Sequence, residues 1–303
     1  MLARVVVAVC SILLITACDN PLNLFKEQDM SSKLVTLQLG EPADVVLKRL
    51  GLDERRDVDH QPVGMNFYKK DFKTGNMPTL RLEHGEYSFE VPNLFGYRLT
   101  EIIDKKTDGI HSLSIYWLFH NDSGKKTSHD EARLSMMALL KQLTDLGWRN
   151  VIWYTAPRLA GEESYLYRQS HSVYPPDPTY LPDMDAWMKL DTRSSWWLHA
   201  DGVMLEVSFQ RNADYMHPTD NSDYLLMLDV SLLENGATSY FENKEEKDQW
   251  RELWVERMKV LKRMRYQKEA ELIKQGYHID TSYQDPLIHP ADPVEPDMTK
   301  PNE

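Results

Sequence analysis

The sequence predicts an α+β fold, in which antiparallel sheets are covered by two helices and a long helix lies near the C-terminal end. Three observations predict it. The apolar residues within 128–146 repeat at helical spacing, and runs of alternating apolar and polar residues follow them. Residues 243–275 contain neither Pro nor Gly, as expected of a long helix. Helix followed by strands occurs twice, from about residue 41 and from about residue 128. We therefore expect either two similar lobes or one larger sheet covered by both helices.

The first unit begins with a short helix in "LQLGEPADVVLKRLG". Pro42 suits the first turn of a helix, and Gly51 is a natural stop. The strand-like segments "VGMNFYKK", "TLRLE" and "YSFEV" follow, and His84-Gly85 between the last two predicts a hairpin. Two further strands, "RLTEIID" and "HSLSIYWLF", complete the unit.

The second unit begins with the most clearly marked helix of the chain. Ser128 and Glu131 form a capping-box pattern, and Gly147 ends the segment. Apolar residues between them repeat at helical spacing: Met136, Leu139, Leu140, Leu143 and Leu146. Further on, Asp201-Gly202 lies between "SSWWLHA" and "VMLEVSFQR", which is a strong hairpin signal, and "YLLMLDVSLL" predicts another strand.

The last predicted helix spans 243–275 and carries a narrow apolar stripe. Asn243 can cap it. The stripe consists of Trp250, Leu253, Trp254, Met258, Leu261, Met264 and Leu272. Such a stripe fits either docking of a partner along one edge or packing on the protein's own sheet. The following residues, 278–303, are rich in Pro and polar residues, and we expect a mobile tail.

A segment of about forty residues, 156–195, is the most unusual feature of the chain, because connections are usually far shorter. It is rich in Pro and in aromatic and acidic residues. Rigid aromatic rings beside acids are typical of protein-binding surfaces. The candidate partner-binding residues are Tyr165, Tyr167, Tyr174, Tyr180, Asp183, Asp185 and Trp187. The alternative is that the rings pack the segment onto the sheet. A second candidate surface is the polar connection 210–224.

Signatures of catalysis are absent from the sequence. It contains no H-E-x-x-H, G-x-S-x-G, P-loop or G-x-G-x-x-G pattern, and its ten histidines are scattered. We therefore assign no catalytic residue, no metal ligand and no cofactor, and expect a protein that is not an enzyme.

The charge balance excludes one class of partner. The formal net charge is −12 at pH 7, whereas proteins that bind nucleic acid present a basic surface to the phosphates. An acidic surface is compatible with a basic protein partner. The sequence therefore favours binding of a protein over binding of nucleic acid.

The N-terminus has the pattern of an export signal. Arg4 is followed by an apolar run that is too short to span a membrane, and the run ends in Ile15-Thr16-Ala17-Cys18. This ending resembles the lipobox of bacterial lipoproteins. The resemblance implies cleavage before Cys18, acylation of its thiol and attachment to the membrane through the lipid. Only one other cysteine, Cys10, is present, and it would be removed with the signal.

Asp19 bears on where the lipidated chain would reside. In enteric-type bacteria, an Asp after the acylated Cys resembles the signal that retains a lipoprotein at the inner membrane. We expect a lipid-anchored protein on the periplasmic side of the cell envelope. Asp19 favours the inner membrane, and the outer membrane is the alternative.

The overall layout resembles the immunity lipoproteins that accompany type VI secretion lipase effectors. The shared features are the lipobox, the size, the acidic balance and the aromatic loop, with "GYHIDTSYQDP" near the C-terminus also similar in type. The resemblance implies a single protein partner, a secreted toxic phospholipase or lipase, whose active site the chain would cover. The alternative is a scaffold lipoprotein of an envelope assembly or maintenance complex, docked through its long C-terminal helix.

These predictions divide the chain into six parts. They are a signal peptide (1–17), an anchor and tether (18–33), an N-terminal lobe (34–122), a second lobe (123–240), a long helix (241–277) and a tail (278–303).

Overall fold

The structure, a computed structural model, describes residues 33–122, 124–288 and 292. The predicted signal peptide, Cys18, Asp19 and most of the tether lie outside the described residues. Within them the structure confirms the α+β class, with antiparallel sheets and a long C-terminal helix.

The described strands and helices alternate along the chain. The strands are β1 (Leu34–Leu37), β2 (Val58–Gln61), β3 (Met65–Asp71), β4 (Thr79–Leu82), β5 (Phe89–Val91), β6 (Leu94–Ile102), β7 (Ile110–Trp117), β8 (Thr127–Ser128), β9 (Arg149–Asn150), β10 (Arg193–Ala200), β11 (Val203–Arg211), β12 (Asn221–Ser222) and β13 (Tyr224–Leu232). The helices are α1 (Ala43–Leu50), α2 (Glu54–Asp57), α3 (His129–Asp145), α4 (Gly161–Arg168), α5 (Met184–Met188), α6 (Lys244–Asp248) and α7 (Trp250–Lys274).

Eight strands form one antiparallel sheet in the order β2-β3-β6-β7-β13-β11-β10-β9. The first four belong to the predicted N-terminal lobe and the last four to the second lobe. The two sets join where β7 pairs with β13, with Ile115 opposite Leu228. Of the two architectures left open by the sequence, the structure therefore has the single larger sheet, and the boundary between 122 and 123 does not separate two cores.

The order of the strands is symmetric about that junction. In each half a helix, α1 or α3, precedes strands that are added one after another toward the centre of the sheet. This explains why the helix-then-strands pattern occurs twice in the sequence.

One face of the sheet forms the main core. A continuous row of paired residues crosses it from β6 to β10: Tyr97, Ile115, Leu228, Val207 and Trp196, each at most 1 % exposed. The helix α3 packs against this core through Met136, Leu139, Leu140 and Leu143, and α1 through Val46. A small sheet of β1, β4 and β5 adds further apolar residues at one end.

The predicted helix cap, helix stop and hairpin turn are present in the structure. The Ser128 hydroxyl accepts a hydrogen bond from the Glu131 amide at 3.2 Å and caps α3. Gly51 ends α1 in the left-handed conformation, where its amide reaches back to the carbonyls of Leu47 and Lys48. Asp201 and Gly202, both at positive φ, join β10 to β11.

The C-terminal helix is shorter than predicted. The Asn243 side chain caps α6, as expected, but the helix is interrupted at Gln249, whose φ of −108° and ψ of 20° lie outside the helical region. The stripe also divides. Trp254, Met258, Leu261 and Leu272 are buried against the body, whereas Leu253 and Met264 are 37 % and 52 % exposed.

Part of the predicted tail contacts the body of the protein. The Tyr283 hydroxyl donates to the Ile152 carbonyl, and the Tyr154 hydroxyl donates to the Pro286 carbonyl. The Asp292 carboxylate accepts a hydrogen bond from the Trp254 indole. Residues 278–288 therefore run along α7, because aromatic and acidic residues among the prolines find partners there.

Candidate partner-binding surface

The segment 156–195 is a folded layer that contains α4 and α5, so the prediction of a long loop is corrected. Trp187 on α5 is fully buried, and its ring centroid lies 4.9 Å from that of Phe209 and 6.2 Å from that of Trp196. It thus fills the core over β10 and β11 and presents no surface to a partner.

The tyrosines of α4 and of the turn after it are buried as well. Tyr174 donates a hydrogen bond to the Pro157 carbonyl at 2.9 Å, and burial raises the pKa of its hydroxyl. Tyr165 accepts a hydrogen bond from the Trp196 indole at 3.2 Å. Tyr167 stacks on His171 with centroids 3.8 Å apart. Their burial favours the alternative given above, that these rings pack the segment onto the sheet.

Asp177 and Ser164 hold the segment in one conformation. The Asp177 carboxylate accepts hydrogen bonds from the amides of Gly161 and Thr179, both at 2.8 Å. The Ser164 hydroxyl accepts one from the Asp177 amide. These contacts link the start of α4 to the Pro-rich stretch. The outer surface of the segment is therefore rigidly supported.

The remaining candidates, Tyr180, Asp183 and Asp185, lie at the surface of this layer. The Tyr180 ring is 5.5 Å from that of Tyr165, which fixes its inner edge. Partial burial raises the pKa of its hydroxyl, and the nearby carboxylates of Glu162 and Asp183 add to the effect. Tyr180 is therefore an anchored ring whose hydroxyl lies within the influence of two carboxylates.

We call the surface made by Glu162, Tyr180, Leu181, Asp183 and Asp185 the acidic patch. Leu181 is 52 % exposed and adds an apolar contact beside the ring. Asp183 also caps α5 by accepting a hydrogen bond from the Ala186 amide, and Asp185 pairs with Lys189 at 2.6 Å. An anchored aromatic ring, an exposed aliphatic residue and fixed carboxylates can recognise a basic protein surface.

The second candidate surface, 210–224, lies beside the same layer. Buried Arg211 donates to the carbonyls of Met188 and Leu190 at the end of α5. Tyr215 links the rest of the connection to the body of the protein. The centre of its ring lies 3.2 Å from the Lys126 ammonium, and its carbonyl oxygen lies 3.0 Å from His129 Nε2.

A group of buried charged residues beneath α7 was not identified from the sequence. Arg158 and Glu269 form a bidentate pair with both N–O distances at 2.9 Å. Asp285 pairs with Lys262 at 3.0 Å and with Arg265 at 2.8 Å. Charged residues on a helix are usually exposed, so no local signal marks these as buried. These ion pairs join α7 to Arg158, which precedes it in the sequence, and to Asp285, which follows it.

The described part of the chain shows no group of three or more side chains placed to hold a metal ion. Two carboxylates, Glu206 and Asp229, are opposite each other on the outer face of the sheet, where Ser195 and Ser114 donate hydrogen bonds to them. Burial, followed by the charge of Asp229, raises the pKa of Glu206.

Among the helices of the described residues, none combines the length and the apolar composition of a membrane span. No family model matches the chain, and neither the curated proteins nor the solved structures contain a match.

Proposed function

We propose that this chain is a lipid-anchored periplasmic immunity protein that binds a secreted toxic lipase and occludes its active site. The acidic patch is the observation that carries this proposal. It combines charge, an exposed aliphatic residue and an aromatic ring on a support that is already ordered before binding. Such preorganisation reduces the entropy that binding would otherwise cost.

Occlusion requires a larger surface than the acidic patch alone, because stable interfaces bury more than about 1,000 Å². The connection 210–224 can extend the surface, since Arg211 links it directly to the end of α5. The partner would present a basic surface to the patch.

The experiment is capture of partners from lysate of the native organism, with the chain from residue 19 carrying a C-terminal tag, followed by mass spectrometry. The proposal predicts one dominant partner with lipase activity, which the purified chain inhibits at one-to-one stoichiometry. A captured enzyme that retains full activity when saturated with the chain would contradict occlusion.

The anchor is tested separately with Cys18→Ser. Without the thiol no acyl chain can be attached, and we expect the protein to move from the membrane pellet to the soluble fraction. A variant that still sediments with membranes would rule out the lipobox interpretation.

A scaffold in an envelope complex is the second candidate function. The exposed strip of α7, formed by Leu253, Val260 and Met264, favours it, because spacings of seven and four residues place these side chains on one helix face. A scaffold predicts an envelope defect when the gene alone is deleted. An immunity protein predicts no defect in the absence of the toxin.

A further inference from the structure

A cavity of about 680 Å³ lies where the described chain begins, between β1, α1, β3 and β6. Its walls include Lys33, Arg49 and Lys70, with Glu41 as the acid among them. Acids outnumber bases in the chain by 47 to 35, so a wall with three bases and one acid runs against the overall composition. The volume is within the range of small-molecule sites.

Lys70 and Tyr97 are side by side in this cavity, because they are directly paired between β3 and β6. Tyr97 is only 1 % exposed and belongs to the lining of the cavity. Its phenol hydroxyl can donate a hydrogen bond to a ligand there.

The Lys70 ammonium retains its hydrogen-bonding capacity. The nearest acid, Asp57, is 3.6 Å away and already accepts two hydrogen bonds from Arg56, at 2.7 and 2.8 Å. A separation of 3.6 Å is too long for a hydrogen bond. Lys70 thus experiences some attraction from Asp57, but its N–H groups are free to contact a ligand.

Arg49 is held in place from the other side. Its guanidinium donates to both carboxylate oxygens of Glu41 and to the Thr36 carbonyl. These contacts use three of the five N–H groups that a guanidinium carries. The remaining donors are fixed in orientation and belong to a side chain that is 35 % exposed.

The donors of Arg49, Lys70 and Tyr97 thus line a cavity whose other residues are mixed: Val35, Leu50 and Phe72 are apolar, whereas Thr36, Gln38 and Glu41 are polar. Such donors suit an anion with several acceptor oxygens, as a phosphate group has. The apolar residues suit a carbon body attached to it. We propose that this cavity binds a phosphate ester with a partly apolar body, such as a phospholipid headgroup or a soluble sugar or glycerol phosphate.

The test is isothermal titration of the chain from residue 19, which contains every described element. The probes are short-chain phosphatidylglycerol, glycerol phosphate and the matching diacylglycerol without phosphate. We expect the phosphate-bearing probes to bind and the diacylglycerol not to bind. Tighter binding of phosphatidylglycerol than of glycerol phosphate, by tenfold or more, identifies a lipid headgroup as the source. Equal binding identifies a soluble phosphate ester.

Two pairs of variants localise the binding. Lys70→Gln and Tyr97→Phe should each weaken binding about tenfold, the effect of losing a hydrogen bond to a charged group. The controls Lys69→Gln and Tyr116→Phe lie on the opposite face of the sheet and should change binding less than about twofold. Melting temperatures establish that all four variants fold. Absence of binding by both phosphate probes, or binding that is unaffected by Lys70→Gln and Tyr97→Phe, would overturn the proposal.

Discussion

At the scale of single residues, burial divides the aromatic and acidic candidates of 156–195 into two groups. Tyr165, Tyr167, Tyr174 and Trp187 are in the interior, whereas Asp183 and Asp185 are exposed and Tyr180 is between the two. The sequence could identify the residue types that suit an interface. It could not show which rings face the sheet, because that depends on how residues far apart in the chain pack together.

Trp187→Ala tests the interior group. The substitution leaves a cavity between Trp196 and Phe209, and we expect the free energy of unfolding to fall by about 3–5 kcal/mol. Asp185→Asn, two residues earlier and exposed, should change it by less than about 0.5 kcal/mol. Urea unfolding followed by circular dichroism measures both. Equal stability of the two variants would show that Trp187 is not a core residue.

His199 introduces a pH dependence of stability. Burial, with a further contribution from Arg149, lowers the pKa of its imidazole to about 4, below the ordinary value of 6.5. Between these values the unfolded chain binds a proton that the folded chain does not. The contribution of His199 to the free energy of unfolding is therefore fully present above about pH 6.5 and decreases as the pH falls toward 4.

The variant His199→Asn checks this dependence. We expect it to lose less stability than the wild type when the pH is lowered from about 7 to 5, because one proton uptake is removed. Urea midpoints at several pH values give the slopes. Identical slopes for His199→Asn and the wild type would contradict the assignment.

At the scale of elements, the sequence predicted the features that depend on neighbouring residues. It did not predict those that depend on residues far apart in the chain. The Ser128 cap and the Asp201-Gly202 turn depend on neighbours within a few residues, and both are present in the structure. The burial of Lys262 and Arg265 depends on Asp285, which lies some twenty residues further along, in the Pro-rich stretch that the sequence predicts to be a tail. The sequence pattern of α7 gives no indication that its charged side chains have buried partners.

Asp285→Asn tests whether this C-terminal stretch is part of the folded body. The substitution leaves two buried cations without their shared acid, and we expect a loss of about 3–5 kcal/mol in the free energy of unfolding. Asp145→Asn removes the acid of an exposed pair with Lys141 and should cost less than about 0.5 kcal/mol. Thermal unfolding compares the two, and similar melting temperatures would support the prediction of a mobile tail.

At the scale of the whole molecule, the pairing of β7 with β13 makes the two halves one structural unit. Leu113, Ile115 and Trp117 of β7 are buried in a core to which α3 and β13 also contribute. The sequence predicted the repeated helix-then-strands order. It could not predict which strands meet, because pairing between residues more than a hundred positions apart has no local signal.

Expression of residues 34–122 alone tests this unity. Without β13 the edge of β7 and its apolar residues are exposed, and we expect a chain that is unfolded or self-associated. Size-exclusion chromatography and circular dichroism distinguish these states. A folded monomer with a cooperative thermal transition would instead show that the N-terminal lobe is an independent domain.

The acidic patch is the surface through which the whole molecule would bind its partner. Capture with two baits in parallel tests it: the wild-type chain from residue 19, and the same chain with Tyr180→Ala and Leu181→Ala. Both side chains are outside the deepest core, so the double variant should retain its fold, as its melting temperature will show. We expect quantitative mass spectrometry to find one dominant partner on the wild-type bait and at least a tenfold loss of that partner on the variant. Equal recovery on both baits, or no partner on either, would show that the acidic patch does not bind a partner.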